Sequence, residues 1–112
     1  MKPELDQGLV KDFPLLYADR FESSKVTCMC WGFECPNEWE PTIRRLSEKL
    51  EPLIERYLKE NPADVCPPRA SQVKEKYGGL RFYMTTHIEE FEEPIEQAER
   101  EIHEFNSRVS MK

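Results

Sequence analysis

The chain has 112 residues, enough for one domain around one modest core. Its 22 acidic and 16 basic residues give a net charge of −6, which disfavours non-specific nucleic-acid binding by the molecule as a whole. Apolar residues make up 38% and charged residues 34%, with no apolar run near the ~20 residues that a membrane-spanning helix needs.

The opening MKPELDQ carries no apolar secretion segment, so cytosol is the expected compartment. In that reducing setting Cys28, Cys30, Cys35 and Cys66 are expected as thiols rather than as a disulfide framework. Leu5, Leu9, Val10 and Phe13 recur at helical spacing and predict a first helix over 3–12, with Pro3 in its first turn and Pro14 at its end. Leu15, Leu16 and Tyr17 then tuck the exit of that helix onto the core. Residues 25–31, KVTCMCW, read as a strand buried from two sides, with Val26, Cys28 and Cys30 on one face and Thr27, Met29 and Trp31 on the other. Gly32 breaks it, and residues 33–37 are expected as a loop.

The longest helical pattern runs from Trp39 to Glu60, with Asn37 as a candidate cap and Pro41 in the first turn. Ile43, Leu46, Leu50, Leu53, Ile54, Tyr57 and Leu58 form one apolar stripe. Pro52 interrupts the backbone bonding but not the phase of the stripe, which predicts a kinked helix or two helices in line. Asn61-Pro62 ends it, and a proline-rich loop follows. SQVKEKYGGLRFYMTT then reads as a β-hairpin turning at Gly78-Gly79. That register pairs Tyr77 with Leu80, Glu75 with Phe82 and Val73 with Met84. It predicts a core face of Val73, Tyr77, Leu80, Phe82 and Met84, and an exposed basic face of Lys74, Lys76, Arg81 and Tyr83.

Thr86 followed by Glu89 reads as a capping box for the last helix. Ile88, Phe91, Ile95, Ala98, Ile102, Phe105 and Val109 recur with strict 3-4 spacing, and Pro94 predicts a kink or a helix start near residue 93. A homotypic zipper over 88–109 is the competing use of this stripe. Glu92, Glu99 and Glu101 at flanking positions give it no opposite charge, and phenylalanine at two seam positions suits packing on a sheet better.

Four constellations bear on function. Cys28-x-Cys30-x4-Cys35 with Cys66 holds four potential zinc thiolates, but the first pair sits on a predicted strand and lacks knuckle spacing; no metal and no cofactor are expected. Nothing in the sequence brings His87 or His103 to a cysteine, and no nucleotide-binding or hydrolase motif occurs, so no enzyme is expected. Residues 89–104 contain eight glutamates and one arginine, either a solvated helix face or an acidic surface for a basic partner, with Glu96, Glu99 and Glu104 as candidate contacts. The basic hairpin face either binds an acidic partner, shields an edge from aggregation, or pairs internally with the acidic helix. Trp31 and Trp39 flank GFECPNE and are candidate interface anchors, though covering the core end of the domain is the more economical use.

The segments CMCWGFEC-x3-W-x3-IRRLSEKL and QVKEKYGGLRFYM, with the opening LVKDFPLLYADR, resemble a family of small uncharacterised proteins encoded by phages and prophages. The resemblance spans most of residues 5–86. It implies a phage context, in which the partner is a host protein, and brings no activity of its own. Some relatives continue into a cysteine-containing tail where this chain ends at VSMK, a difference that turns the expectation further from zinc.

The combined reading is a single α+β domain over 1–112: a small, largely antiparallel sheet, one strand plus a hairpin, covered by about three helices. The expected function is that of a non-enzymatic protein-binding module, an inhibitor or modulator of a host protein. A zinc- or nucleic-acid-binding accessory protein is the alternative.

Overall fold

The computed structural model describes residues 1–21, 29, 32–64 and 67–110. Helix α1 spans Pro3–Asp12, with proline in its first turn, and closes where the Phe13 N–H donates to the Leu9 carbonyl at 2.9 Å. The next residues leave the helix and lay Leu16 and Tyr17 into the core. Three hydrogen bonds fix that segment. The Glu51 carboxylate accepts the N–H groups of Leu15 (3.1 Å) and Leu16 (2.7 Å), and the Leu16 carbonyl accepts the Ala70 N–H at 2.8 Å.

Most of the strand expected over 25–31 lies outside the described residues. Met29, the one described residue within it, is fully buried, and its carbonyl accepts the Gly32 N–H at 2.9 Å. Strand β1 is Phe33–Glu34, inside the stretch expected as a loop. A 3-10 turn at Asn37–Trp39 leads into α2, Glu40–Glu60. Asn37 does not cap this helix; its side-chain oxygen accepts the Lys2 N–H at 2.6 Å instead. Helix α2 is a single helix across Pro52 rather than two. The carbonyl that loses its partner belongs to Glu48, which is exposed and open to water, so the disruption is tolerated.

Strands β2 (Ala70–Lys76) and β3 (Gly79–Met84) form the expected hairpin, but with a different register. Lys76 pairs with Gly79, Glu75 with Leu80, Lys74 with Arg81 and Val73 with Phe82. The turn is therefore Tyr77-Gly78, with φ of 54° and 81°. Both strands keep their inward faces because the slip moves each pairing by two residues in total. Tyr77 moves from the expected core face to the tip, where it is 92% exposed. An aromatic residue in the left-handed region costs about 1–2 kcal/mol. The register offsets this by setting Val73 opposite Phe82, two core side chains. The Glu75 carboxylate accepts the Gly78 N–H at 2.9 Å, and Asn106 donates to the Gly78 carbonyl.

The sheet order is β1-β2-β3, with β1 parallel to β2 and β2 antiparallel to β3. The sheet is largely antiparallel, as expected, with one parallel pair because α2 carries the chain back between β1 and β2. Helix α3 spans Glu89–Ser110 and lies against β3 and α2. Thr86 falls too early to cap it; instead the Phe91 N–H donates to the Ile88 carbonyl at 2.9 Å, and Glu89, Glu90 and Glu92 place negative charge at the helix start. The helix continues through Pro94. One core joins Ile43, Leu46, Leu50 and Ile54 of α2, Phe91, Ala98 and Ile102 of α3, and Phe33, Val73, Leu80 and Phe82 of the sheet. The opposite sheet face carries Glu34, Lys74, Arg81 and Tyr83, half-buried or exposed. The fold is α+β, and no helix among the described residues is long and apolar enough to cross a membrane.

Buried polar groups near the N-terminal segment are individually matched. Asp6 accepts Arg20 Nε through both carboxylate oxygens (2.9 and 3.2 Å) and the Phe33 N–H at 3.4 Å. Asp19 lies 2.6 Å from Arg69 Nε. The Tyr17 hydroxyl meets Ser47 Oγ at 2.6 Å, and Ser47 Oγ donates to the Ile43 carbonyl at 2.8 Å, leaving the tyrosine as donor. Burial holds the Tyr17 phenol well above its usual range, so it stays protonated. Gly32 sits against this cluster with φ of +77°. A Cβ there would lie 2.5 Å from Asp6 Oδ2 and 2.9 Å from Arg20 Nη2.

Candidate functional site

The apolar stripe of α3 fixes where its charges go. With Phe91, Ala98 and Ile102 in the core, the neighbouring helical row of Glu92, Glu96, Glu99 and His103 runs alongside β3. Two grooves lie along this line. The first, about 340 Å³, has Phe82, Met84, Phe91 and Ile95 as its apolar lining and Tyr83, His87, Glu92 and Glu96 as its polar lining. The second, about 510 Å³, sets Leu80 and Arg81 opposite Glu96, Glu99, Arg100, His103 and Glu104. Glu96 belongs to both, so the grooves form one seam between β3 and α3.

The seam is predominantly acidic. Four glutamates line it, at 92, 96, 99 and 104, against two arginines and two histidines. Burial pushes the Glu99 carboxyl above its usual range; the Arg81 guanidinium pulls it back and Glu96 pushes it further up. Arg81 Nη1 also donates to the carbonyl of Leu80 at 3.4 Å. His87 Nε2 lies 3.0 Å from Glu92 Oε1 in an exposed pair at the other end.

This geometry rearranges the residues singled out from the sequence. Glu96, Glu99, Glu104, Arg81 and Tyr83 come together in one seam, so the acidic helix and the hairpin do not present two separate surfaces. Lys74 and Lys76 stay outside it. Lys74 sits between Glu34 and Arg81 in the ladder, and Lys76 lies over the Tyr77 ring at 5.7 Å. Glu34 interrupts the basic face beside Lys74. Trp39 is only 2% exposed and packs into the core. Trp31, Cys28, Cys30 and Cys66 lie outside the described residues. The apolar stripe that a zipper over 88–109 would use is already buried at Phe91, Ala98 and Ile102.

Cys35 is buried, and burial pushes its thiol up to about 11, so it holds little thiolate near neutral pH. Among the described residues, no group of three or more His, Cys, Asp or Glu side chains is placed to hold a metal ion. Met84, Ile95, Glu92 and Arg100 are seam residues that the sequence reading did not single out. A signal existed for Glu92, because 92, 96, 99 and 103 repeat the 4-3-4 spacing of the apolar stripe beside them. Compared with known proteins, the chain matches no family model, no curated protein and no solved structure.

Proposed function

We propose that this protein is a non-enzymatic binding module that engages a basic segment of another protein through the seam between β3 and α3. One observation carries the reading: Glu96, Glu99 and Glu104 line a groove beside β3 that continues, through Glu96, into an apolar-lined groove at Phe82, Met84, Phe91 and Ile95. Apolar area supplies affinity, and the flanking carboxylates select the sign of the partner and steer its approach. The net charge of −6 acts in the same direction. The resemblance to phage-encoded proteins makes a host protein the expected partner and the host cytoplasm the expected setting.

The test is capture of the partner from the native host, followed by titration at low and high salt. Reversing Glu96 and Glu99 to lysine abolishes capture with the circular dichroism spectrum unchanged, whereas reversing Lys74 and Lys76 to glutamate preserves it. Association slows as salt rises, since exposed charges are screened beyond about 8 Å at physiological ionic strength. Parent-like capture by the Glu96→Lys/Glu99→Lys protein at every salt concentration rules this function out.

A further inference from the structure

Strand β3 is the outer strand of the sheet, with β2 on one side and no strand on the other among the described residues. Its register determines which backbone groups are left over. In a two-residue hairpin the residues flanking the turn exchange both N–H···O=C bonds, and bonded and non-bonded pairs alternate from there. Lys76–Gly79 and Lys74–Arg81 are therefore bonded pairs, and the N–H and C=O groups of Leu80 and Phe82 project away from β2 along the outer edge. Such an edge is a template for another strand. Here it borders the two grooves, since Leu80 lines one and Phe82 the other.

The geometry points to strand addition: an extended segment of the partner protein pairs with the edge of β3 at Leu80 and Phe82 and turns its basic and apolar side chains toward α3. This rests on the seam being the binding surface and adds how the partner is held. Alternate side chains of an added strand face the same way. One set would meet the apolar lining at Met84 and Ile95 and the carboxylates of Glu96 and Glu99 in turn. The occupant is a foreign segment and not a second copy, because two copies joined at this edge would bring two glutamate rows together. Arg81 is the cover of the free edge. Its guanidinium reaches the Leu80 carbonyl at 3.4 Å and lies near enough to Glu99 to pull that carboxyl down, so an incoming strand displaces it.

The probe is the acetylated, amidated peptide Lys-Thr-Ile-Thr-Lys-Thr-Ile, titrated into the full chain and followed by backbone amide resonances and hydrogen exchange. Addition of the peptide shifts the Leu80 and Phe82 amides and slows their exchange. Methylating the backbone nitrogens of one alternating set of peptide residues abolishes binding, while methylating the other set is tolerated, because only one set faces β3. Glu96→Gln with Glu99→Gln weakens binding several-fold, and Arg81→Ala strengthens it several-fold. Equal binding by both methylated peptides overturns strand addition and leaves the acidic seam standing as a charge-recognition surface. No change at any seam amide overturns both. Exchange at Leu80 and Phe82 that slows with protein concentration before peptide is added identifies a second copy as the occupant, and that also overturns the proposal.

Discussion

Carboxylates appear in two regions of this fold and are handled in opposite ways. Near the N-terminal segment, Asp6, Asp19 and Glu51 are buried, and each meets a dedicated guanidinium or backbone N–H at 2.6–3.1 Å. At the β3–α3 seam, Glu96 and Glu104 are exposed and Glu99 half-buried, along open grooves. The same side chain is a structural tie where a donor is fixed around it and an available contact where one is not. Sequence composition cannot tell these roles apart. The difference lies in what the fold places opposite.

The largest expected effect breaks the first of these regions. Asp6→Ala removes an ion-pair partner of Arg20, whose side chain is 21% exposed, and the acceptor for the Phe33 N–H. It should destabilise the protein by about 3 kcal/mol in urea denaturation, the low end for losing one member of a buried pair. A loss below about 1 kcal/mol would make this site no more structural than a surface charge.

A smaller effect sharpens the comparison through pH. Burial raises the Glu51 carboxyl, the N–H groups of Leu16 and Leu15 pull it down, and Glu55 adds to the rise. The folded value therefore lies above the unfolded one. The stability contribution of Glu51 is fully present below the unfolded value, near 4.5, and is lost as pH rises through the raised folded value. Glu51→Gln keeps one oxygen for the two N–H groups and should cost about 1–2 kcal/mol. Its penalty should be greatest in acid and shrink toward neutrality. A penalty that grows with pH would reverse the sign assigned to this group.

The smallest effect belongs to the seam. Glu96→Gln with Glu99→Gln should change stability by no more than about 0.5 kcal/mol. Near neutral pH the change should be neutral or favourable, since burial disfavours the charged form of the Glu99 carboxyl. A large loss in thermal unfolding would mean these glutamates are structural ties like Asp6.

Elements with strong periodicity were legible before the structure. Helix α1, the α2 stripe and the α3 stripe fall where 3-4 spacing puts them, because each buries one continuous face. The hairpin was legible, but its turn was not. Gly78-Gly79 looks like the natural two-residue turn, whereas cross-strand packing of Val73 on Phe82 moves the turn to Tyr77-Gly78. Local turn preference lost to the core. Strand β1 was missed because two residues carry no period, and its parallel partner lies 40 positions away, as Phe33 pairs with Val73. Of the seam, Glu96, Glu99, Glu104, Arg81 and Tyr83 were all singled out. Their meeting was one of three uses open to the basic face, and the choice among them depends on α3 lying along β3, a tertiary placement with no local signature.

The two left-handed glycines have unequal histories open to them. At Gly78, φ is +81° with nothing within 4 Å of an added Cβ, so drift to asparagine or aspartate is open to it. At Gly32 the same backbone freedom is needed, but an added methyl would lie 2.5 Å from Asp6 Oδ2 and 2.9 Å from Arg20 Nη2. Any side chain at that position must push the ends of Asp6 and Arg20 aside as well as strain the backbone. Position 78 is thus constrained by its backbone conformation alone, and position 32 by its backbone and its neighbours together.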